Sequence, residues 1–185
     1  MNISVSSKEE IITYCKEIVR EKDIQAISIR SVAEKSGISV GAVYNYFPSK
    51  KKLVAATIGS VWADIFHRTE ESFEFNDFID CLVALFKSIE AGKKLYPNFF
   101  TNKALVMTFD EKNMSETTIE HFWVHIKESL VETVAKDPKV RNDVFDHQLT
   151  AERFVNYILE LFLYTLTNEE DEYEGLLQLV RNAIY

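Results

Sequence analysis

A chain of 185 residues with 29 acids against 21 bases, a formal net charge of −8, is long enough to bury a sizeable core and too acidic overall to coat a polyanion along its whole length. Hydrophobic residues at 46%, with only 5 glycines and 3 prolines, suit packed helices and exclude a disordered, collagen-like or loop-rich chain. No uninterrupted apolar run approaches the ~18 residues of a membrane span, and MNISVSSKEE lacks the basic and apolar regions of a secretory signal, so a soluble cytoplasmic protein is expected.

In chain order, Ser7-Lys8-Glu9-Glu10 has the S-x-x-E form of a capping box, and Ile11, Tyr14, Cys15 and Ile18 follow at helical spacing, which predicts a first helix over about 8–22. Ser28 can cap a short second helix that buries Ile29, Val32 and Ala33, and Gly37 stands where a left-handed C-terminal residue is wanted. Ser39 caps a third short helix with Val43 and Phe47 inward, closed by Pro48. Ser49 opens a longer fourth helix striped by Val54, Ile58, Val61, Trp62 and Ile65.

Beyond it the pattern predicts a helix with Phe75, Phe78, Ile79, Leu82, Leu85, Phe86 and Ile89 inward, stopped at Gly92. Short segments are expected around Pro97 and around Leu105, Val106 and Phe109. A long helix from about Ser115 follows, with Ile119, Phe122, Trp123, Ile126, Leu130 and Val134 inward, ending before Asp137-Pro138. From Phe154 to Leu166 nearly every position is apolar, so that helix must be covered on all sides, and Tyr173 to Ile184 is amphipathic beside it. Two such helices from each of two subunits would form a four-helix contact, with Phe154, Ile158, Phe162, Tyr173, Leu176, Leu177 and Val180 in it; the competing reading makes them the centre of a monomer core.

Charge divides the chain unevenly. Residues 1–52 hold nine Lys and Arg against six acids, a net of +3, which leaves 12 bases and 23 acids, a net of −11, for the rest. A small basic head on a large acidic body is expected when one end meets a polyanion. Within that head, two short helices across Gly37-Ile38-Ser39 form the pattern of a helix-turn-helix, whose second helix enters the major groove. Burying Val43 and Phe47 leaves Gly41, Ala42 and Asn45 outward, with Tyr44 and Tyr46 at the flanks. Small residues admit close approach, a methyl can touch thymine, and Asn45 can bond adenine in a bidentate fashion. Ser28, Arg30, Tyr44, Tyr46 and Lys50 suit phosphates, and a lysine just inside a helix start is unfavourable for the dipole unless an anion sits there.

The run SIRSVAEKSGISVGAVYNYFPSKKKLV resembles the DNA-binding domain of the TetR/AcrR family of transcriptional regulators, through Ala33, Gly37, Ile38, Ser39, Gly41, Val43, Tyr44, Tyr46, Phe47, Ser49 and Lys50. The resemblance spans roughly 7–55 and implies an all-α protein of about nine helices: a three-helix DNA-binding head, 1–48, and an effector-binding and dimerisation body, 49–185. It further implies phosphate contacts by Ser28, Arg30, Ser39, Tyr44, Tyr46 and Lys50, and a base-facing surface of Val40, Gly41, Ala42 and Asn45. The expected partners are an operator duplex, a second copy and a small-molecule effector that releases repression, with no membrane partner. Residues 1–6 hold no Lys or Arg, so no minor-groove arm is expected.

Of 23 aromatics, 19 follow Pro48, a density that can line an apolar effector site or form plain core; the candidates are Trp62, Phe66, Phe86, Phe99, Phe100, Phe122, Trp123 and Tyr157. His121 and His125 at i and i+4 with Glu128 are read as solvated or packing residues, so no metal or cofactor is expected. Cys15 and Cys81 match no ligand or redox spacing and are read as small buried hydrophobes. No G-x-S-x-G, H-E-x-x-H, P-loop or G-x-G-x-x-G occurs, which argues against an enzyme. The alternative to a regulator is a helical interaction module with a vestigial helix-turn-helix.

Overall fold

The structure, a computed structural model, describes residues 7–66, 75, 77–100, 118–167 and 173–185, with the side chains of 118–122 and 167 excepted. Among these, eight α-helices and one 3-10 turn occur and no strand: α1 Lys8–Glu21, the turn Ile24–Ala26, α2 Ile29–Ser36, α3 Val40–Tyr46, α4 Lys50–Phe66, α5 Phe78–Leu95, α6 Thr118–Lys136, α7 Ala151–Thr167 and α8 Glu174–Ile184. The all-helical class expected from the sequence is correct. Over the described residues the chain forms two compact units, Met1–Ile65 with Ala91–Phe122, and Phe66–Glu90 with Trp123–Tyr185.

In the first unit the local signals act as read. Ser7 Oγ accepts from the Glu10 amide at 3.2 Å; Asp23, which the sequence reading did not name, caps the 3-10 turn by accepting from the Gln25 and Ala26 amides. Ser28 and Ser31 form a reciprocal capping box at the start of α2. Gly37 ends that helix at φ 69°, ψ 22°, a left-handed conformation that a Cβ disfavours, and Ser39 Oγ takes the Ala42 amide at 3.1 Å. Ser49 Oγ accepts from the Lys52 amide at the start of α4. Helix α2 packs on α1 and α3, burying Ile11, Cys15, Ile18, Val32, Ala33, Val43 and Phe47. Burial raises the Cys15 thiol to about 11, as befits an unreactive core group.

Three boundaries differ from the sequence reading: Phe75, read as an inward residue of the fifth helix, is half-buried and precedes the start of α5 at Phe78. Helix α5 does not stop at Gly92 but runs on to Leu95. A Cβ at Gly92 would lie 2.8 Å from Cγ1 of Ile65, so this glycine admits a close helix approach instead of terminating the helix. Pro97 opens no helix either; Pro97–Phe99 form a turn, closed by the Phe99 amide on the Tyr96 carbonyl at 3.0 Å. The segment expected around Leu105, Val106 and Phe109 lies outside the described residues.

A polar cluster joins α1 to α4 and to the end of α5. Lys16 Nζ donates to both oxygens of Asp64 at 3.0 Å, the buried Tyr96 hydroxyl donates to the same carboxylate, and Arg20 donates to Tyr96 Oη at 3.1 Å while its guanidinium lies 4.8 Å from that ring's centroid. Burial, then the Asp64 carboxylate, pushes the Tyr96 hydroxyl well above its ordinary pKa, so it stays protonated and donating. Asp64→Ala should therefore destabilise the first unit by about 1–3 kcal/mol, because it leaves Tyr96 without its acceptor and Lys16 without its counter-charge. Asp64→Asn, which still accepts from Tyr96, should cost less, and urea unfolding of both variants checks the order.

In the second unit Phe86 stacks on Tyr173 at 4.2 Å and 10°, and lies 4.8 Å from Phe162. Asp137, buried, accepts from the Phe78 amide at 2.9 Å and from the Tyr185 hydroxyl at 2.5 Å. Helices α7 and α8 pack on each other.

Candidate nucleic-acid interface

The head's surface is shaped by what its core removes. On α3, Val43 and the C-capping Phe47 point inward at 0% and 4% exposure. That fixes the outward arc: Val40, Gly41, Tyr44 and Asn45 are exposed, with Ala42 and Tyr46 half-buried. Glycine and alanine at the centre keep the helix backbone within reach of a groove floor, while Val40 and Tyr44, at i and i+4, supply apolar area on the same side. An Asn45 side chain in solvent offers one amide donor pair and one carbonyl acceptor, the pattern complementary to an adenine edge.

The bases of the head fall into two sets. Lys16 and Arg20 are committed to Asp64 and Tyr96. Lys35 is committed to Glu21 at 2.7 Å and Glu17 at 3.5 Å, across α2 and α1. Arg30 and Lys50 are exposed and, among the described residues, have no acid partner. These two bracket α3, one in the first turn of α2 and the other in the first turn of α4. Lys50 occupies the positive end of its helix, where a few tenths of a kcal/mol to about 1 kcal/mol are lost until an anion arrives. Ser28 and Ser39, expected at phosphates, both use their hydroxyls to cap their own helices, so each offers an anion a helix start more than a free hydroxyl group.

Lys8, passed over in the sequence reading, lies with its ammonium 5.7 Å from the centroid of Phe47. The dipole argument that singled out Lys50 does not extend to it, because the first turn of α1 also holds Glu9 and Glu10 whereas that of α4 holds no acid.

The other sequence candidates are dispersed. Trp62, Phe99 and Phe100 belong to the first unit and meet edge to face, with Trp62 5.4 Å from Phe99 and 5.7 Å from Phe100. In the second unit Phe66 and Trp123 lie 6.1 Å apart, and Phe86 is buried between Phe162 and Tyr173. The Phe122 side chain lies outside the described residues, as does that of His121, whereas His125 and Glu128 are exposed. Phe154, Ile158, Phe162, Leu176, Leu177 and Val180, assigned from sequence to a subunit contact, are buried in the single chain, and Tyr173 is half-buried. The outward faces of the same helices carry Tyr157 at 55% exposure, Leu161 at 40%, Tyr164 at 66% and Leu179 at 51%. Tyr157, a sequence candidate for the effector site, thus faces outward from its unit. No helix among the described residues is long and apolar enough to cross a membrane.

Residues 11–57 match the family described as bacterial regulatory proteins, tetR family. The curated relatives include the HTH-type transcriptional repressor KstR of Mycobacterium tuberculosis, 29% identical over 65 residues that cover 35% of this chain and 30% of KstR. KstR of Mycolicibacterium smegmatis is also 29% identical over 65 residues, 35% of this chain and 32% of that protein. The chain thus spans about a third of the length of the curated relatives it matches. Among solved structures, a tetR-family transcriptional regulator from Streptomyces coelicolor superposes with a TM-score of 0.61 at 20% identity, over 96% of this chain and 80% of that one. A putative TetR-family regulator from Vibrio parahaemolyticus gives 0.57 at 14%, over 95% and 97%. These structural likenesses extend the shared fold beyond the head.

Proposed function

We propose that this chain, a TetR-family transcriptional regulator by its N-terminal domain, is a homodimeric repressor that holds an operator through α3 and releases it when a small molecule occupies its body. The observation that supports DNA binding best is the outward arc of α3, small and polar at its centre and bracketed by Arg30 and Lys50 without acid partners among the described residues. Repression is what the KstR relatives are named for. Residues 1–48, with Lys50 at the start of α4, would carry the operator contacts, and the rest of 49–185 the effector site and the subunit contact.

Each copy would place α3 in one of two major grooves about 34–36 Å apart or a multiple of that. The outward apolar residues of α7 and α8 support a contact between copies, because Tyr157, Leu161, Tyr164 and Leu179 expose large hydrophobic side chains on two adjoining helices. An effector acts only through unequal affinity for the operator-competent and released states, and a coupling of about 1–3 kcal/mol changes operator affinity roughly 5- to 150-fold. The candidate aromatics of the body suit an apolar ligand; a thermal-shift screen in which no apolar compound raises Tm would remove this part of the proposal.

Salt titration of duplex binding tests the central claim. Affinity should fall steeply with salt, by a slope of about 0.9 per phosphate neutralised, and Lys50→Ala should reduce that slope by about one contact. Asn45→Ala should cost about 1–3 kcal/mol on the selected operator and little on random duplex, whereas Tyr44→Phe should weaken both alike. A flat salt dependence for the unaltered protein would leave the interaction-module reading in its place.

A further inference from the structure

We infer that the half-site under α3 is built of A·T pairs, which the helix reads through thymine methyl groups and one adenine edge. The inference rests on the DNA-binding reading above and names the bases that this surface can tell apart.

In the major groove guanine shows two acceptors, cytosine an amino donor, adenine a donor beside an acceptor, and thymine an acceptor and a methyl group. A guanine edge is held by the paired donors of Arg or Lys, and the cytosine amino group by the carboxylate of Asp or Glu. The sequence of α3, VGAVYNY, contains none of these four residue types. The cations Arg30 and Lys50 stand on α2 and α4 instead. Outward from α3 come Val40 at 42% exposure, Gly41, Tyr44 at 50% and Asn45, with Ala42 half-buried.

Asn45 can donate to adenine N7 and accept from its amino group at once, a donor and acceptor pair that no other base shows in this groove. Val40 points the same way for a different reason. Its side chain has no group with which to hydrogen-bond a phosphate or a base edge, so contact with DNA can favour it only by burying apolar area. The apolar group that the groove displays is the thymine methyl.

Val40 and Ala42 are short, and they reach the bases only if the backbone of α3 comes close. Gly41, between them, permits that approach. Glycine weakens a helix relative to alanine, yet a Cβ here would meet only Ser39 Oγ, at an ordinary 3.8 Å. The chain's own packing therefore does not require a glycine at this position, whereas a duplex pressed against α3 would.

The test uses the full chain. Duplexes retained from a random pool define the preferred site, and affinities for its analogues are read by fluorescence anisotropy at one fixed salt concentration. Replacing thymine by uracil, one position at a time, removes only the methyl group; at one position or more in the half-site it should weaken binding about 4-fold, the value of one buried methyl group. Val40→Ala should abolish that penalty for at least one thymine, because the methyl has lost its partner. A deazaadenine that carries carbon in place of N7 should weaken binding at least about 5-fold at one position, and Asn45→Ala should abolish that penalty in turn. Each comparison sets two duplexes against the same protein, so an effect of a substitution on folding cancels. Either analogue tolerated at every position, discrimination carried by G·C pairs, or a pool that yields no preferred site overturns the A·T assignment and leaves the DNA-binding reading standing. Binding by the unaltered protein that ignores salt overturns both.

Discussion

Phe162→Asp is expected to unfold the second unit, while Leu161→Asp, one position away on α7, leaves it folded and converts the proposed dimer to monomer. Phe162 is 1% exposed and lies 4.8 Å from the Phe86 ring, itself stacked on Tyr173. Truncating such a ring costs about 3–5 kcal/mol from lost burial and the cavity left behind. An unpaired carboxylate in its place adds the penalty of a buried charge, which together consumes much of the ~5–15 kcal/mol that stabilises a domain. Leu161 is 40% exposed, on the outward face with Tyr157 and Tyr164, and an exposed substitution of this kind shifts stability by about 0.5 kcal/mol or less. In a two-fold contact, however, each copy contributes the same patch, so one substitution introduces two carboxylates into the apolar centre. Circular dichroism melts and sedimentation velocity separate the outcomes. A folded Leu161→Asp that still sediments as a dimer removes α7 from the contact; a folded Phe162→Asp contradicts its placement in the core.

The head was legible because its instructions are local. Ser28, Gly37 and Ser39 act within three or four residues of themselves, and a two-turn helix with one apolar edge has one way to face. The same rules failed where a distant partner decides. Gly92 reads as a helix stop until Ile65, far away in sequence, is seen to need the space of its missing side chain. An apolar run such as Phe154 to Leu166 states that both sides of α7 are covered, but not which side by its own chain; the structure buries Phe154, Ile158 and Phe162 inside the unit and turns Tyr157, Leu161 and Tyr164 outward. In the Asp64, Lys16, Arg20 and Tyr96 cluster the directly bonded partners stand up to 76 residues apart, and no periodicity encodes such pairings. For the proposed interface, chemistry was legible residue by residue, whereas the division of the head's bases into committed and uncommitted ones required knowing which acids they meet.

Trp62 carries the second large effect, and its measurement separates core from effector site. The indole is 0% exposed and meets Phe99 at 75° and Phe100 at 90°, with ring centroids 5.4 and 5.7 Å away. Edge-to-face pairs of this kind contribute about 0.5–1.5 kcal/mol beyond the area they bury. Trp62→Ala should accordingly destabilise the first unit by about 3–5 kcal/mol, the range for emptying a packed aromatic position. A side chain that instead lines an existing cavity has fewer atoms against it and should cost clearly less when truncated, because the missing contacts were never made. Combining Trp62→Ala with Phe99→Ala in a double-mutant cycle should return a coupling of about 0.5–1.5 kcal/mol, since the edge of one ring meets the face of the other. Urea unfolding supplies all four corners of the cycle. A loss below about 1 kcal/mol for Trp62→Ala with no coupling to Phe99 would mean that these rings border open space, and would return Trp62 to the effector site.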